Sequence, residues 1–272
     1  MNKINQKVVI ITGASSGIGL ACVHEFYSKG AKVVLAARNY DTIKAIEEEL
    51  NSNQSEKRAL AVKADVTVEA DCKNLIEKAI ETFGKIDILV NNAGLSMRAN
   101  FADVDLNVLK KLMDVNFWGT AYCTKHALPH LIASKGSIVG VSSVAGMHGL
   151  PGRTGYSASK YAMQGLLDTI RIENLDKGLH VMLVYPGFVA SNVRNSALLS
   201  DGSTQGSSPR EEKKMMTAEQ MASRILKGVQ KRKRFIATSI EGKITPIIKL
   251  LFPSLLDRLY LNHMKKEPDA PI

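Results

Sequence analysis

Tyr156 and Lys160 stand four residues apart in Tyr-Ser-Ala-Ser-Lys, and Ser143 lies thirteen residues upstream of the tyrosine. On a helix, positions four apart share one face, so this spacing sets a lysine ammonium beside a phenol. A free phenol has a pKa of about 10 and relays protons poorly near neutral pH. A fixed cation beside it favours the phenolate and moves that value toward the working range. Bringing it toward neutrality asks for about 3–4 kcal/mol of differential stabilisation, within reach of one ammonium in a desolvated site. Ser143, if it ends a strand facing that helix, can hydrogen-bond the same substrate oxygen. Tyr-x-x-x-Lys alone is also a common surface pattern, so the chemistry depends on elements that bring these groups together.

Alternating strands and helices provide such elements. Residues 7–12 (KVVIIT) form a β-branched run that stops at glycine, as a buried parallel strand does. Further strands are predicted over 32–37, 58–64, 86–90, 136–141, 179–185 and 235–238. Helices are predicted over 20–29, 40–51, 69–83, 154–175 and 217–230, with two more inside 104–134. The pattern argues for an α/β fold, a single doubly wound parallel sheet with helices on both faces. In such sheets ligands bind beyond the carboxyl ends of the strands. Gly13–Gly19, Arg38, Asp65, residues 91–94, Ser143 and 186–191 all fall there.

The first strand runs into Gly13-Ala-Ser15-Ser16-Gly17-Ile18-Gly19, a G-x-x-x-G-x-G turn opening a helix. Glycines let the backbone approach a pyrophosphate, and helix N-terminal N–H groups point at it. The bland alternative is a tight turn. Its place after the first strand favours a dinucleotide.

The 272 residues, 45% hydrophobic and 23% charged with mean hydropathy −0.05, suit one soluble domain with a substantial core. No secretory signal or membrane-spanning run is visible, and the cytoplasm is the expected location. Cys22, Cys72 and Cys123 are odd in number and widely spaced, which reads as small core residues in a reducing compartment and no metal site. The net charge of +10 is uneven: residues 221–272 hold eleven Lys or Arg against four Asp or Glu.

Thr12–Gly19 (TGASSGIG), 91–94 (NNAG), Asn116, Ser143 with Tyr156 and Lys160, and Pro186-Gly187 together resemble the short-chain dehydrogenase/reductase family over about two thirds of the chain. The resemblance implies a Rossmann fold, a nicotinamide cofactor and hydride transfer to or from a carbonyl or alcohol carbon. By it, Tyr156 is the acid–base, Lys160 holds the nicotinamide ribose and depresses the tyrosine pKa, Ser143 orients the substrate oxygen, and Asn116 positions a water. Gly13, Ser15, Ser16, Gly17, Ile18 and Gly19 would hold the pyrophosphate. Asn91, Asn92, Ala93 and Gly94 would border the adenosine side, Asp65 and Val66 the adenine, and Pro186, Gly187, Val189 and Ser191 the nicotinamide. Serine replaces the family's usual threonine at Ser191 and keeps the hydroxyl.

Cofactor choice turns on the end of the second strand, which reads Ala36-Ala37-Arg38-Asn39 without an acid. An acid there binds a ribose 2′-hydroxyl, whereas Arg38 suits a 2′-phosphate. NADP(H) is favoured over NAD(H), although Ser16 stands where many NADP-using relatives carry a basic residue.

Residues 195–210 are rich in Ser and Gly and read either as a mobile substrate lid, within about 191–217, or as a plain insertion. Thr217 and Gln220 form a capping-box pattern. The catalytic domain is expected over 1–240 and a basic, apolar helical extension over 241–272, with Pro246 and Pro253 in first turns of two short helices. That extension is either packed on the domain or a subunit, or an apolar flap that rests with the basic cluster at 231–234 on an anionic membrane. Basic residues without interleaved aromatics do not favour nucleic acid. Met147 and His148 are placed near the substrate pocket, and Trp118 in the core.

The leading expectation is an NADPH-dependent carbonyl reductase for an apolar, lipid-like ketone, assembled as a homodimer or homotetramer as is usual for the family. Alternatives are a 3-oxoacyl carrier-protein reductase and a non-catalytic dinucleotide-binding scaffold.

Overall fold

The computed structural model describes residues 3–52, 54–189, 193–206, 215–266 and 270–271. Strands β1 (Val8–Thr12), β2 (Lys32–Ala37), β3 (Ala59–Lys63), β4 (Ile88–Asn91), β5 (Ser137–Val141), β6 (His180–Tyr185) and β7 (Phe235–Ala237) form one sheet in the order β3-β2-β1-β4-β5-β6-β7. Every pairing is parallel. The order reverses between β1 and β4, and the chain leaves both strands there at their carboxyl ends.

β1 shows why the apolar runs read as buried strands. Val9 and Ile11 enter the core on one face, with Cys22 and Phe26 of α1 (Gly17–Ser28) and Met221 and Ile225 of α7 (Ala218–Gln230). Val8 and Ile10 enter the opposite core, with Cys72 of α3 (Glu69–Phe83), Cys123 and Leu131 of α5 (Gly119–Ala133) and Met163 of α6 (Thr154–Glu173). Period-two alternation thus fills two layers from one strand. Helix α2 (Tyr40–Asn51) flanks the β2–β3 side, and its first turn is capped by the Asn39 side chain on Thr42 N. The Thr217–Gln220 capping box opens α7 as its sequence indicates. All three cysteines are free and buried.

Two helices fill 104–134, but as one rod. α4 (Leu106–Met113) passes into α5 through a π turn, Asp114–Trp118. Trp118 is not a core residue: it is 44% exposed, stacked on Tyr122 at 5.6 Å and edge-on to Phe117 at 5.0 Å. Its i,i+4 partner Tyr122 is half-buried against the core, so the indole packs on an aromatic ring at the core's edge and stays partly exposed itself.

The carboxyl end of β7 leads into α8 (Ile240–Leu251) and α9 (Pro253–Met264), an antiparallel hairpin. Pro253 starts α9 as expected. Pro246 does not start a helix. It lies within α8, which begins six residues earlier at a Ser239 cap on Gly242 N (3.0 Å). The proline has no N–H to donate to Gly242 O four residues before it, so α8 lacks one intrahelical hydrogen bond there. Among the described residues no helix is long and apolar enough to cross a membrane.

The basic cluster and the apolar tail do not share a surface. Arg232 donates to Lys135 O (3.1 Å) and Gly178 O (2.6 Å), just before β5 and β6 begin, and Arg234 approaches Asp168 at 3.7 Å. The cluster therefore pins the amino-terminal rim of the sheet, while α8 and α9 leave from the carboxyl rim.

Candidate active site

The turn after β1 is built around close backbone approach. A Cβ on Gly19 would lie 2.1 Å from Gly13 O, and one on Gly13, which has φ +65°, would lie 2.9 Å from Ala93 Cα. The N-cap of α1, Ser16, makes no capping hydrogen bond with its side chain, and the first turn carries no acid. The first N–H groups and the positive end of the helix dipole are thus left for an anion. Thr12 holds the facing turn: its hydroxyl accepts from Asn92 N and Ala93 N, both at 3.0 Å, and Asn92 Nδ2 donates to Thr12 O at 2.9 Å.

These turns open on a crevice of about 810 Å³ at the carboxyl ends of the strands. Gly13, Ser15, Ser16, Gly17, Ile18, Arg38, Asn39, Asp65, Val66, Asn92, Ala93, Gly94, Ser143, Tyr156, Lys160, Pro186, Gly187 and Val189 all line it. Arg38 is exposed at the rim beyond β2. Asp65 Oδ1 accepts from Thr67 N (3.0 Å) and its hydroxyl (2.8 Å), which fixes the carboxylate on its own turn. Ser191 lies outside the described residues. Gly19 and Asn91 support the crevice from behind: Asn91 is 2% exposed and donates from Nδ2 to Thr124 Oγ1 at 3.0 Å.

Asn116 does not line the crevice. It is fully buried; Nδ2 donates to Leu95 O (2.9 Å) and Ser159 Oγ (2.8 Å), while Oδ1 accepts from Leu95 N (2.8 Å). The side chain ties the loop after β4 to α6, and its position at the π turn makes that reach possible. Its side-chain amide is thus fully engaged within the protein.

Ser143, Tyr156 and Lys160 meet where β5 faces α6. Ser143 follows β5 as the N-cap of a short 3₁₀ turn, its Oγ accepting from Ala145 N at 3.2 Å. Lys160 is 3% exposed; its Nζ donates to Val141 O at 2.9 Å and stands 5.8 Å from the centre of the Tyr156 ring. Burial brings the ammonium's pKa down to about 8. The phenol's pKa goes the other way from the expected one: burial raises it, with Ser143 and Arg153 pulling back only part of the way. Desolvation of the buried phenol outweighs the groups that favour its phenolate. The pair is thus an ammonium and a neutral phenol in the ligand-free protein at neutral pH, a proton donor in place.

Met147 and His148 do not line the crevice. The hairpin covers them: Lys249 Nζ donates to Met147 O (3.0 Å) and the Tyr161 hydroxyl (2.6 Å), His148 Nε2 meets Asp257 Oδ1 at 3.2 Å, and its ring stacks on Tyr260 at 5.0 Å. The Asp257 contact favours imidazolium, but burial is larger and lowers the His148 pKa. Neutral His148 then donates from Nε2 to the carboxylate.

Other residues at the crevice carry no local sequence signal. Lys111 and Val115 line it from one face of the α4 rod, four residues apart, and Arg194, 9% exposed, lines it from the loop after β6. Their own surroundings in sequence are an ordinary amphipathic helix and a polar loop. The described part of that loop, 193–206, is knitted by Gln205 N to Ala197 O (2.8 Å) and Leu199 N to Ser203 O (2.8 Å). It docks through Leu198 N to Ser96 O (2.9 Å) and Arg98 N to Leu198 O (2.7 Å). Serine and glycine thus make a hydrogen-bonded turn there, with Ala197 and Leu198 buried. Among the described residues no cluster of three or more His, Cys, Asp or Glu is placed to hold a metal.

The family model for short chain dehydrogenases matches residues 7–200. Dehydrogenase/reductase SDR family member 7B of Rattus norvegicus is 33% identical over 270 residues, covering 97% of this chain and 83% of its own. The 11-beta-hydroxysteroid dehydrogenase-like 4A protein of Arabidopsis thaliana is 35% identical over 255 residues, covering 93% and 83%. Among solved structures, an alcohol dehydrogenase from the archaeon Thermococcus sibiricus complexed with 5-hydroxy-NADP superposes with TM-score 0.73 at 26% identity, covering 83% of this chain and 91% of that one. A short chain dehydrogenase/reductase from Burkholderia phymatum in complex with NAD gives 0.81 at 24% identity, covering 94% and 97%.

Proposed function

The chain belongs to the short-chain dehydrogenase family, oxidoreductases whose fold binds a nicotinamide dinucleotide, and from that premise we propose that it is an NADPH-dependent reductase of apolar, lipid-like ketones. The observation that carries this is a buried, one-carbonyl-bonded ammonium beside a neutral phenol in the wall of a crevice large enough for a dinucleotide. The glycine cradle fits a pyrophosphate, since any Cβ at Gly19 would fill the space the backbone needs.

In this reading the N-terminus of α1 binds the pyrophosphate, Asp65 and Val66 bound the adenine, and Lys160 donates its remaining N–H groups to the nicotinamide ribose. Pro186, Gly187, Val189 and Ser191 bound the nicotinamide. Arg38 meets a 2′-phosphate and has no acid beside it to repel one, which supports NADP(H). The cofactor, when bound, supplies hydride to the carbonyl carbon. Ser143 donates a hydrogen bond to the carbonyl oxygen, and Tyr156 gives that oxygen its phenolic proton, so a ketone leaves as a secondary alcohol. Lys160 favours the phenolate that remains until a proton returns from solvent.

Apolar substrates are supported by the hairpin beside the mouth, where Phe188 stacks on His263 at 6.3 Å between two cavity-lining residues. A steroid-like ring ketone, a 3-keto sphingoid base and a 3-oxoacyl group all fit that description, and the likeness to the Arabidopsis protein weighs toward the first. A carrier-protein substrate fits less well, because the basic cluster that would dock an acidic carrier sits at the opposite rim. A cytoplasmic site of action, peripheral lipid contact and a homodimer or homotetramer belong to the same reading; of the lid expected over 191–217, residues 191–192 and 207–214 lie outside the described residues. The test is NADPH oxidation across a panel from steroids to 3-keto amines and acyl thioesters, with Tyr156→Phe as control. Wild type that binds NADPH but turns over no substrate would leave the non-catalytic scaffold instead.

A further inference from the structure

The α8–α9 hairpin exposes an unusual amount of apolar surface. Leu250 is 81% exposed, Leu251 and Phe252 61%, Ile247 59%, Leu255 52% and Leu259 51%. These are consecutive around the hairpin's turn and along the two helices' outer sides. The inner sides are spoken for: Thr245, Leu256 and Met264 are buried, and Thr245 Oγ1 meets the Tyr260 hydroxyl at 3.0 Å. Along α8, Lys243, Ile247, Leu250 and Leu251 fall on one side, a spacing that leaves both charge and apolar surface outward. A contiguous patch of this kind marks a contact surface in a soluble protein.

Charge identifies the partner. Lys243, Arg258, Lys265 and Lys266 are exposed on the same hairpin. Asp257 keeps its charge while accepting from His148, but residues 240–266 still hold five Lys or Arg against two acids, Glu241 and Asp257. A second copy of the chain packed about a two-fold axis would set this cationic patch against itself. An anionic leaflet meets the cations with phosphate and carboxylate headgroups and takes the leucines into its acyl boundary. Each helix has 12 residues, about 18 Å, so the hairpin lies in the interface and does not span it.

Placement then matters for the site. Lys249 holds Met147 and Tyr161, Asp257 and Tyr260 hold His148, and Ser239, the cap of α8, lies 3.0 Å from where a Gly187 Cβ would be. The hairpin is thereby fixed both to the segment after Ser143 and to the Pro186–Val189 wall of the crevice. We propose that the α8–α9 hairpin seats the protein on an anionic lipid surface with the crevice mouth turned toward it, so that substrate enters from the leaflet. The lipid surface stands on exposure and charge alone; only substrate entry rests on the reductase reading.

The test is flotation of the full chain with phosphatidylcholine vesicles, with and without phosphatidylserine. Wild type is expected to float with the anionic vesicles and less with the neutral ones, with binding falling as salt rises. Leu250→Asp with Leu255→Asp, both at exposed positions, should lower vesicle affinity about tenfold or more. Lys243→Glu with Arg258→Glu should remove the preference for phosphatidylserine. Both pairs should keep wild-type unfolding temperatures and NADPH binding. Wild type that floats with neither vesicle, or leucine variants that float as well as wild type, would overturn the proposal. So would a dimer in light scattering that the leucine variants dissociate without any vesicle binding. Loss of NADPH binding by wild type would instead defeat the reductase reading and leave the flotation result standing.

Discussion

Lys160 carries a stability cost that its replacement should reveal. Burial lowers its pKa from 10.5 to about 8. Between those values the unfolded chain binds more protons at this site than the folded one, so folding stability rises with pH across the window. Below about pH 8 the penalty is complete, about 3 kcal/mol from the size of the displacement. Roughly 2.5 kcal/mol of it should be relieved between about pH 7 and pH 10. Tyr156 works oppositely, because a raised phenol pKa lowers stability only above about pH 10. Lys160→Met removes the buried charge but leaves Val141 O without its 2.9 Å donor, a loss of about 1–3 kcal/mol. At neutral pH the variant should therefore be about as stable as wild type or up to about 2 kcal/mol more stable, while losing turnover. Urea unfolding of both cofactor-free proteins at about pH 7 and pH 10 reads this directly, and the difference cancels the other titrating groups. Wild type should gain about 2.5 kcal/mol more than the variant on going to pH 10. Equal gains, or a variant several kcal/mol less stable at both pH values, would refute the reasoning.

Four other outcomes are expected. Tyr156→Phe should lower kcat about 10²–10⁴-fold with NADPH affinity retained, measured by steady-state turnover and fluorescence titration. Arg38→Ser should raise the NADPH KM about 10–100-fold and change the NADH KM little, the loss of one charge-assisted contact to phosphate. Gly19→Ala must move a backbone carbonyl that its Cβ would approach to 2.1 Å, so it should cost about 1–3 kcal/mol in unfolding and remove the thermal shift given by NADPH. His148 has its pKa lowered mainly by burial, so folding loses stability as pH falls below about 6.5, where the unfolded imidazole charges first. Asp257 opposes that loss and Lys249 adds to it. His148→Gln should flatten the thermal-melt slope below about pH 6.5, leaving the share of His180, which burial shifts the same way.

What the sequence reveals is local in origin. β2, α2 and α3 begin and end where periodicity and their flanking residues indicate, because burial on both sheet faces forces near-continuous apolar runs. The strand tips bring the glycine turn, Asp65, Ser143, Tyr156 and Lys160 to one crevice, as the alternation of elements requires. What escapes it is tertiary. Pro246 looks like a helix start until the Ser239 cap is seen upstream. The basic run at 231–234 looks like one surface with the apolar tail until β7 separates them, with Arg232 reaching back to Lys135 and Gly178. Met147 and His148 follow Ser143 closely in sequence, yet a hairpin more than ninety residues on covers them. The sign of the Tyr156 displacement is not legible in the spacing, which fixes proximity to a cation and says nothing of desolvation.

The central claim is hydride delivery to a carbonyl protonated by Tyr156. Its most direct measurement follows label from NADPH deuterated at the transferred position of C4 into the alcohol formed from an apolar ketone, by mass spectrometry. The account predicts deuterium on the carbinol carbon with wild type, and the same product formed about 10²–10⁴-fold more slowly by Tyr156→Phe, although the variant still binds the cofactor. Unlabelled alcohol, or labelling at equal rates by both proteins, would contradict it.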